Sequence, residues 1–323
     1  MPHSKGFQPL AYRHFFLAIY LNSFTIYRHN EGPMMDFSLE FFPPKSEEQS
    51  QLLIKAAQYM VEELDPAFVT CTYGAGGSTK DGTLKTATAL QRETGCETAA
   101  HLSYISTPIR ELEEYAHQLW VAGIRRVVAL RGDVPKDKNF SDFKTADYYP
   151  STPAFIEALL KLHPFDISVG AYPEKHPDAA SLEADITHLK NKCEAGAARA
   201  ITQFFFDADV FFRFRDKLTA AGVQTNLVPG ILPILDYQKM LRFAAACQTD
   251  VPSHIHTIFE PLQDNAEAMH EASIRLLQQQ VHDLKGGGVK HIHLYTLNRA
   301  DIIVPALGND EKMSACSCCK VDR

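Results

Sequence analysis

Eight short runs rich in β-branched and aromatic residues alternate along the chain with amphipathic segments of helical length. The runs span 36–42, 67–72, 97–103, 126–131, 166–172, 199–205, 226–232 and 290–296. The helical segments lie near 46–64, 80–94, 108–122, 152–162, 181–195, 207–221, 236–247 and 263–285. Strands separated by helices are parallel, because each crossover must carry the chain back to the same end of the sheet. Eight is the number that closes into a (β/α)₈ TIM barrel, so a single-domain α/β barrel is the expected fold. An open doubly wound sheet is its rival. Local signals agree with the segmentation: Ser46-x-x-Gln49 has the form of a capping box, and Gly95, Gly123, Gly196 and Gly222 stand where helices should end.

The barrel accounts for residues 36–308, and both ends differ from it. Residues 1–35 carry Lys5, Arg13 and Arg28 but no acid before Glu31, around an apolar run Phe15–Leu21. Three readings stand: the apolar part of a signal peptide, an acid-poor targeting segment, or a start placed ahead of Met34 and Met35. Residues 309–323 hold Cys316, Cys318 and Cys319, which read as a frayed tail, with a soft-metal site or lipidation as the alternatives. The other four cysteines are scattered among apolar or small neighbours; an odd count of seven without framework spacing points to a reducing compartment, hence the cytoplasm. No stretch reaches the ~18 apolar residues needed to span a bilayer. The formal charge of −7 argues against nonspecific nucleic-acid binding, since no basic excess exists to displace counterions.

Barrel enzymes work at the C-terminal ends of their strands. At least six of the eight runs carry a chemically capable residue there: Glu40, Thr72-Tyr73-Gly74-Ala75, His101, Arg131-Gly132-Asp133, Tyr172-Pro173-Glu174, Gln203 and Tyr295-Thr296-Leu297-Asn298-Arg299. Glu40 lies among Leu39, Phe41, Phe42 and two prolines. A carboxylate desolvated there is expected to have a raised pKa, which suits a general acid; a structural ion pair with a barrel arginine is the alternative. Asp133 reads equally as a turn residue after Gly132, and His101 as a core histidine. His291 and His293 alternate along the last strand and so share a face, but no third ligand completes a metal site, and none is expected. Neither a G-x-G-x-x-G nor a Walker loop is present, so any nucleotide is held in some other way.

Seven runs, taken in order, resemble the 5,10-methylenetetrahydrofolate reductase family. They are Ser38-Leu39-Glu40-Phe41-Phe42-Pro43-Pro44, Thr72-Tyr73-Gly74-Ala75, Leu130-Arg131-Gly132-Asp133, Ala171-Tyr172-Pro173-Glu174, Ile201-Thr202-Gln203-Phe204-Phe205-Phe206-Asp207, Pro229-Gly230-Ile231-Leu232-Pro233 and Tyr295-Thr296-Leu297-Asn298-Arg299. The resemblance covers about residues 36–308 and looks like the short bacterial type, without the regulatory domain of the eukaryotic enzymes. It implies a TIM barrel that binds FAD, takes hydride from NADH or NADPH, and reduces 5,10-methylenetetrahydrofolate to 5-methyltetrahydrofolate in ping-pong fashion through one site. A homo-oligomer is expected on the same ground. A flavin-independent barrel reductase and a non-catalytic folate-binding scaffold are the alternatives.

Residue by residue, the resemblance makes Glu40 the acid that protonates the leaving N10 and Asp133 the carboxylate near flavin and pterin, where it disfavours negative charge on the reduced flavin. FAD would be bound by Thr72, Tyr73, Ala75, His101, Arg131, Gly132, Asp133, Tyr172, His176, Ala179, Asp185, His188 and Lys192. The substrate residues would be Glu40, Asp133, Gln203, Lys239, Phe243 and Arg299, with Phe243 stacking on whichever ring is bound and Arg299 pairing with a folate carboxylate. Two positions depart from the pattern: Lys239 stands where the short enzymes can carry Gln, and His188 where an Asn can contact FAD.

Overall fold

Every strand pairing in the sheet is parallel. The computed structural model describes residues 35–73, 80–135 and 137–308. Its strands are β1 (Asp36–Phe41), β2 (Phe68–Cys71), β3 (Thr98–Ser103), β4 (Arg126–Leu130), β5 (Asp166–Ala171), β6 (Arg199–Thr202), β7 (Asn226–Val228), β8 (Gly230–Ile231) and β9 (His291–Tyr295). Their order is β7-β6-β5-β4-β3-β2-β1-β9-β8.

The two edge strands are halves of the single predicted run 226–232, parted at Pro229. Proline has no N–H to give to a ladder. Its carbonyl still accepts from His293 N at 2.8 Å. β7 pairs back to β6 and β8 forward to β9, so one short run bridges both edges and curls the sheet into a nearly closed barrel. The expected TIM barrel therefore holds, and the open sheet does not. Gly230 is required at the seam, because a Cβ there would lie 2.3 Å from Thr202 O and 2.6 Å from the Tyr295 ring.

The surrounding helices are α1 (Glu47–Leu64), α2 (Lys80–Thr94), α3 (Ile109–Val121), α4 (Thr152–Leu162), α5 (Leu182–Glu194), α6 (Ala208–Ala220), α7 (Tyr237–Cys247), α8 (Ser253–Phe259), α9 (Ala266–Gly286) and α10 (Ala300–Leu307). Ser46, Ser151, Ser181, Asp207, Asp236 and Asn265 cap helix N-termini by accepting from first-turn amides. The Gln49 side chain reaches back to Lys45 N at 2.9 Å rather than to Ser46 N, a variant of the expected box. All four predicted stop glycines take positive φ, between 69° and 111°.

Outward strand residues such as Leu39, Phe41, Leu102, Ile167 and Leu294 pack with the inner faces of the helices to form the main core. Inside the barrel the apolar cluster is small: Phe68, Ala99 and Val128. At the N-terminal end of the strands, Arg126 and Arg199 flank the Phe68 ring at 5.0 and 5.2 Å, and both bond to Asp166. The other interior positions are largely polar, and Ser38, Glu40, Thr70, His101 and His293 are all buried. No described helix is long and apolar enough to cross a membrane.

Candidate active site

The register of β1 against β9 pairs Ser38 with His293 and Glu40 with Tyr295. Alternation then turns Ser38, Glu40, His291 and His293 to the barrel interior. Glu40 Oε2 lies 3.3 Å from Nε2 of His101 on β3 and 3.3 Å from Nε2 of His293 on β9. The arginine partner weighed for Glu40 is thus replaced by two imidazoles. This overturns the expected raised pKa. Burial does push the carboxyl up, but the His101 and His293 rings together outweigh it and hold the group down at about 2. In this structure Glu40 is a buried carboxylate.

A second feature lies at the mouth on the side of β4, β5 and α5. A cavity of about 240 Å³ is lined by Arg131, Tyr172, His176, Ala179, Asp185, His188 and Lys192, all of them expected cofactor residues. Lys192 is buried and donates one hydrogen bond to Gly170 O at 2.5 Å. Burial lowers its pKa to about 8, against the opposing pull of Asp185. Asp185 in turn accepts from His176 N at 2.8 Å. Tyr172 is pushed up to about 12, first by burial and then by the Asp185 charge, and the His176 ring meets it edge-on at 4.5 Å. Lys175, with φ 98°, turns the rim and pins it by donating to the carbonyls of His176, Pro177 and Ala179. Ala129, Gly170 and Ala184 contribute little bulk to the same wall, and Asp178 closes it by pairing with Arg131 at 2.7 Å.

The remaining predicted residues are spread around the mouth. Thr72 and Tyr73 follow β2 and are half-buried, and Tyr73 Oη is a buried hydroxyl without a partner among the described residues. Ala75 lies outside the described residues, as do Cys316, Cys318 and Cys319. Gly132 has φ 85°, and a Cβ there would meet Ser103 at 2.7 Å, so only glycine permits this turn between Arg131 and Asp133. Asp133 is exposed, and its charge raises the pKa of both Tyr172 and Cys247. Gln203 donates to Cys247 Sγ at 3.4 Å. Phe243 is 53% exposed and stacks on Phe204 at 6.0 Å, leaving a free aromatic face. Two residues are otherwise engaged. Arg299 is held bidentately by Asp301, at 2.7 and 2.5 Å, and Lys239 pairs with Asp236 at 3.2 Å.

Sequence reasoning passed over Tyr295 and Cys247 as site residues. Tyr295 donates to Thr202 O at 2.7 Å, and its hydroxyl is raised by burial and then by Glu40, Tyr172 and Cys247. It therefore stands between the carboxylate and the cavity wall. The signal was its place at the end of the last strand. Cys247 read as an ordinary core thiol, and only the fold brings it to the mouth. Among the described residues no group of three or more His, Cys, Asp or Glu could hold a metal ion.

A family model described as methylenetetrahydrofolate reductase matches residues 25–309. The chain belongs to the methylenetetrahydrofolate reductase family. It is an oxidoreductase of folate one-carbon metabolism, and it matches the short bacterial members over most of their length. It is 39% identical over 268 residues to the 5,10-methylenetetrahydrofolate reductase of Pectobacterium carotovorum, covering 83% of this chain and 87% of that one. To the Escherichia coli K12 enzyme it is 38% identical, covering 83% and 88%. Methylenetetrahydrofolate reductase (NADH) 1 of maize is 36% identical over 81% of this chain but only 46% of its own length. Among solved structures, an uncharacterized Clostridium thermocellum protein that binds two copies of 5-methyl-5,6,7,8-tetrahydrofolic acid superposes with a TM-score of 0.56. At 11% identity over 85% of this chain and 94% of that one, it supports the barrel fold alone.

Proposed function

We propose that this reductase binds FAD in the cavity between β4, β5 and α5, takes reducing equivalents from NADH or NADPH, and passes them to 5,10-methylenetetrahydrofolate in a ping-pong cycle through one site. The observation that carries the reading is the juxtaposition, at one barrel mouth, of a buried carboxylate and a cavity walled by a buried lysine and an aromatic hydroxyl.

The residues present suit the cofactor. Lys192 has N–H donors beyond the one given to Gly170 O, and Tyr73 has a buried hydroxyl free among the described residues. Both fit a ligand rich in acceptor oxygens and nitrogens. Bound FAD supplies the two-electron carrier between nicotinamide and folate. Glu40 serves the folate half. Opening the imidazolidine ring to an electrophilic iminium expels N10 as an amine, which needs a proton. Glu40, directly or through water, is the group that delivers it. With its carboxylate held ionised at rest, that proton belongs to the Glu40–His101–His293 cluster as a unit. Phe243 offers a stacking face for either ring, and Asp133 offers acceptors to the pterin. An incoming folate carboxylate would have to draw Arg299 away from Asp301.

An anaerobic absorbance titration tests the reading. The FAD-supplied protein should show a flavin band that NADH or NADPH bleaches and methylenetetrahydrofolate restores. Failure to retain flavin would overturn the cofactor, and bleaching without recovery would overturn the substrate. Glu40→Gln should keep flavin bleaching within about twofold and lose folate-driven recovery by 100-fold or more, the usual scale of general acid catalysis. Full folate turnover by that variant would remove Glu40 from the role.

A further inference from the structure

Glu40 is one end of a continuous hydrogen-bonded column that crosses the barrel interior. His293 Nε2 is 3.3 Å from Glu40 Oε2, His293 Nδ1 is 2.8 Å from Ser38 Oγ, and Ser38 Oγ is 3.0 Å from His291 Nε2. The links alternate between β9 and β1 and run from the C-terminal end of the strands toward the N-terminal end. Ser38 and His293 are fully buried, whereas His291 is only partly so, and its strand partner Asp36 is exposed.

The ionised carboxylate fixes the direction of the first bond, and the tautomer of His293 sets the others. It only accepts, so His293 Nε2 donates to it. When that ring carries its hydrogen on Nε2 alone, the tautomer the relay uses, Nδ1 accepts from the Ser38 hydroxyl and the Ser38 oxygen accepts from His291 Nε2–H. All three donors point toward Glu40. A second chain of equal length is not found on the other side of the carboxylate among the described residues: His101 Nε2 reaches only Thr70 Oγ1, at 3.3 Å.

We propose that Ser38, His291 and His293 form a proton relay that recharges Glu40 from solvent at the N-terminal face of the barrel. The inference rests on the acid role proposed for Glu40. A ring system stacked over the mouth shuts out water on that side, and the column supplies the proton from the opposite one. The balance is one proton in and one out. When Glu40 has given its proton to N10, the carboxylate takes the proton on His293 Nε2. His293 Nδ1 takes the proton of Ser38, Ser38 takes the one on His291 Nε2, and His291 Nδ1 takes one from water. Tautomer exchange of the two rings and rotation of the hydroxyl restore the starting order.

The groups facing the column support this direction. Burial first, then His293, and last Arg199 and Arg126 at the solvent end hold the pKa of His291 down to about 4, so the ring rests neutral and passes charge on rather than storing it. At the other end Tyr295 and His101 face Glu40, and burial raises the pKa of the Tyr295 phenol, which removes it as a competing acid. Ser38, His291 and His293 act through Glu40 and are positioning residues for the reaction.

Stopped-flow measurement of the two half-reactions in the FAD-loaded protein tests the relay. Ser38→Ala and His291→Ala should each slow folate-driven flavin reoxidation about tenfold or more, raise its solvent deuterium isotope effect, and leave bleaching by NADH or NADPH within about twofold. Added imidazole should restore His291→Ala, an effect that a merely structural role for the ring would not produce. Without any ligand, ¹⁵N-histidine NMR should show His291 and His293 as Nε2–H tautomers. Wild-type reoxidation rates in both variants, or an Nδ1–H tautomer at His293, would overturn the relay. If Glu40→Gln also reoxidised normally, the acid role itself would fail; if only that variant were dead, the relay alone would.

Discussion

A carboxylate with two imidazoles against it, deep in a barrel, makes the protein sensitive to acid in a defined order. His291 has a folded pKa near 4 against an ordinary 6.5, so the unfolded chain binds the extra proton between those values and stability falls as pH drops through that window. Glu40, near 2 against an ordinary 4.5, adds a second loss between 4.5 and 2, and its contribution is complete above 4.5. Each is a ceiling of about 3 kcal/mol, at 1.36 kcal/mol per pKa unit. The urea midpoint should therefore fall between pH 7 and 4, and His291→Gln should flatten part of that fall; an unchanged slope would show that the ring titrates normally in the folded state. The same residues mark the limit of what could be read from the chain. Glu40 stood out because carboxylates are rare among phenylalanines and prolines. The direction of its pKa did not, because His101 and His293 lie 61 and 253 positions away in sequence and only strand register brings them to 3.3 Å.

At the scale of elements, alternation made most strands and helices legible to within a residue or two, while β6 ends three residues before the predicted run 199–205 and α9 starts three residues after the predicted 263. The elements it missed have local causes. α8 is seven residues long and follows Pro252, which offers no side-chain cap, and α10 contains Pro305, which reads as a breaker. The run 226–232 looked like one strand and is two, because Pro229 interrupts the ladder at the point where the barrel closes. That seam carries its own prediction. Gly230→Ala places a methyl against the Thr202 carbonyl, which also accepts the Tyr295 hydroxyl, and backbone oxygen cannot step aside as a flexible side chain can. Overpacking of this kind costs about 1–3 kcal/mol. A lowered melting temperature together with weakened folate turnover is expected, and a variant as stable as wild type would mean that the seam relaxes freely.

Over the whole molecule, the mouth divides into two working halves. β1, β3 and β9 carry the carboxylate and its imidazoles, whereas β4, β5 and α5 carry the cavity. The halves meet electrostatically at Tyr295, the register partner of Glu40, whose hydroxyl is raised first by burial and then by the charges of Glu40 and Tyr172. A protein built this way should lose its two functions separately. Lys192 is the test on the cavity side. It is charged below about pH 8 and neutral above, because burial lowers its pKa. A charge-assisted hydrogen bond to an anionic cofactor contributes about 1.5–3 kcal/mol, or roughly 10- to 100-fold in affinity. Equilibrium titration of the ligand-free protein should thus find that FAD binding weakens between pH 7.5 and 9. Lys192→Met should bind FAD at least tenfold more weakly, with no such pH dependence. Glu40→Gln, by contrast, should hold FAD within about twofold of wild type. At saturating FAD, Lys192→Met should still reduce folate, since the acid and its column are untouched. Loss of folate reduction at saturating FAD, or of FAD affinity in Glu40→Gln, would show that the halves are coupled through Tyr295 rather than merely adjacent.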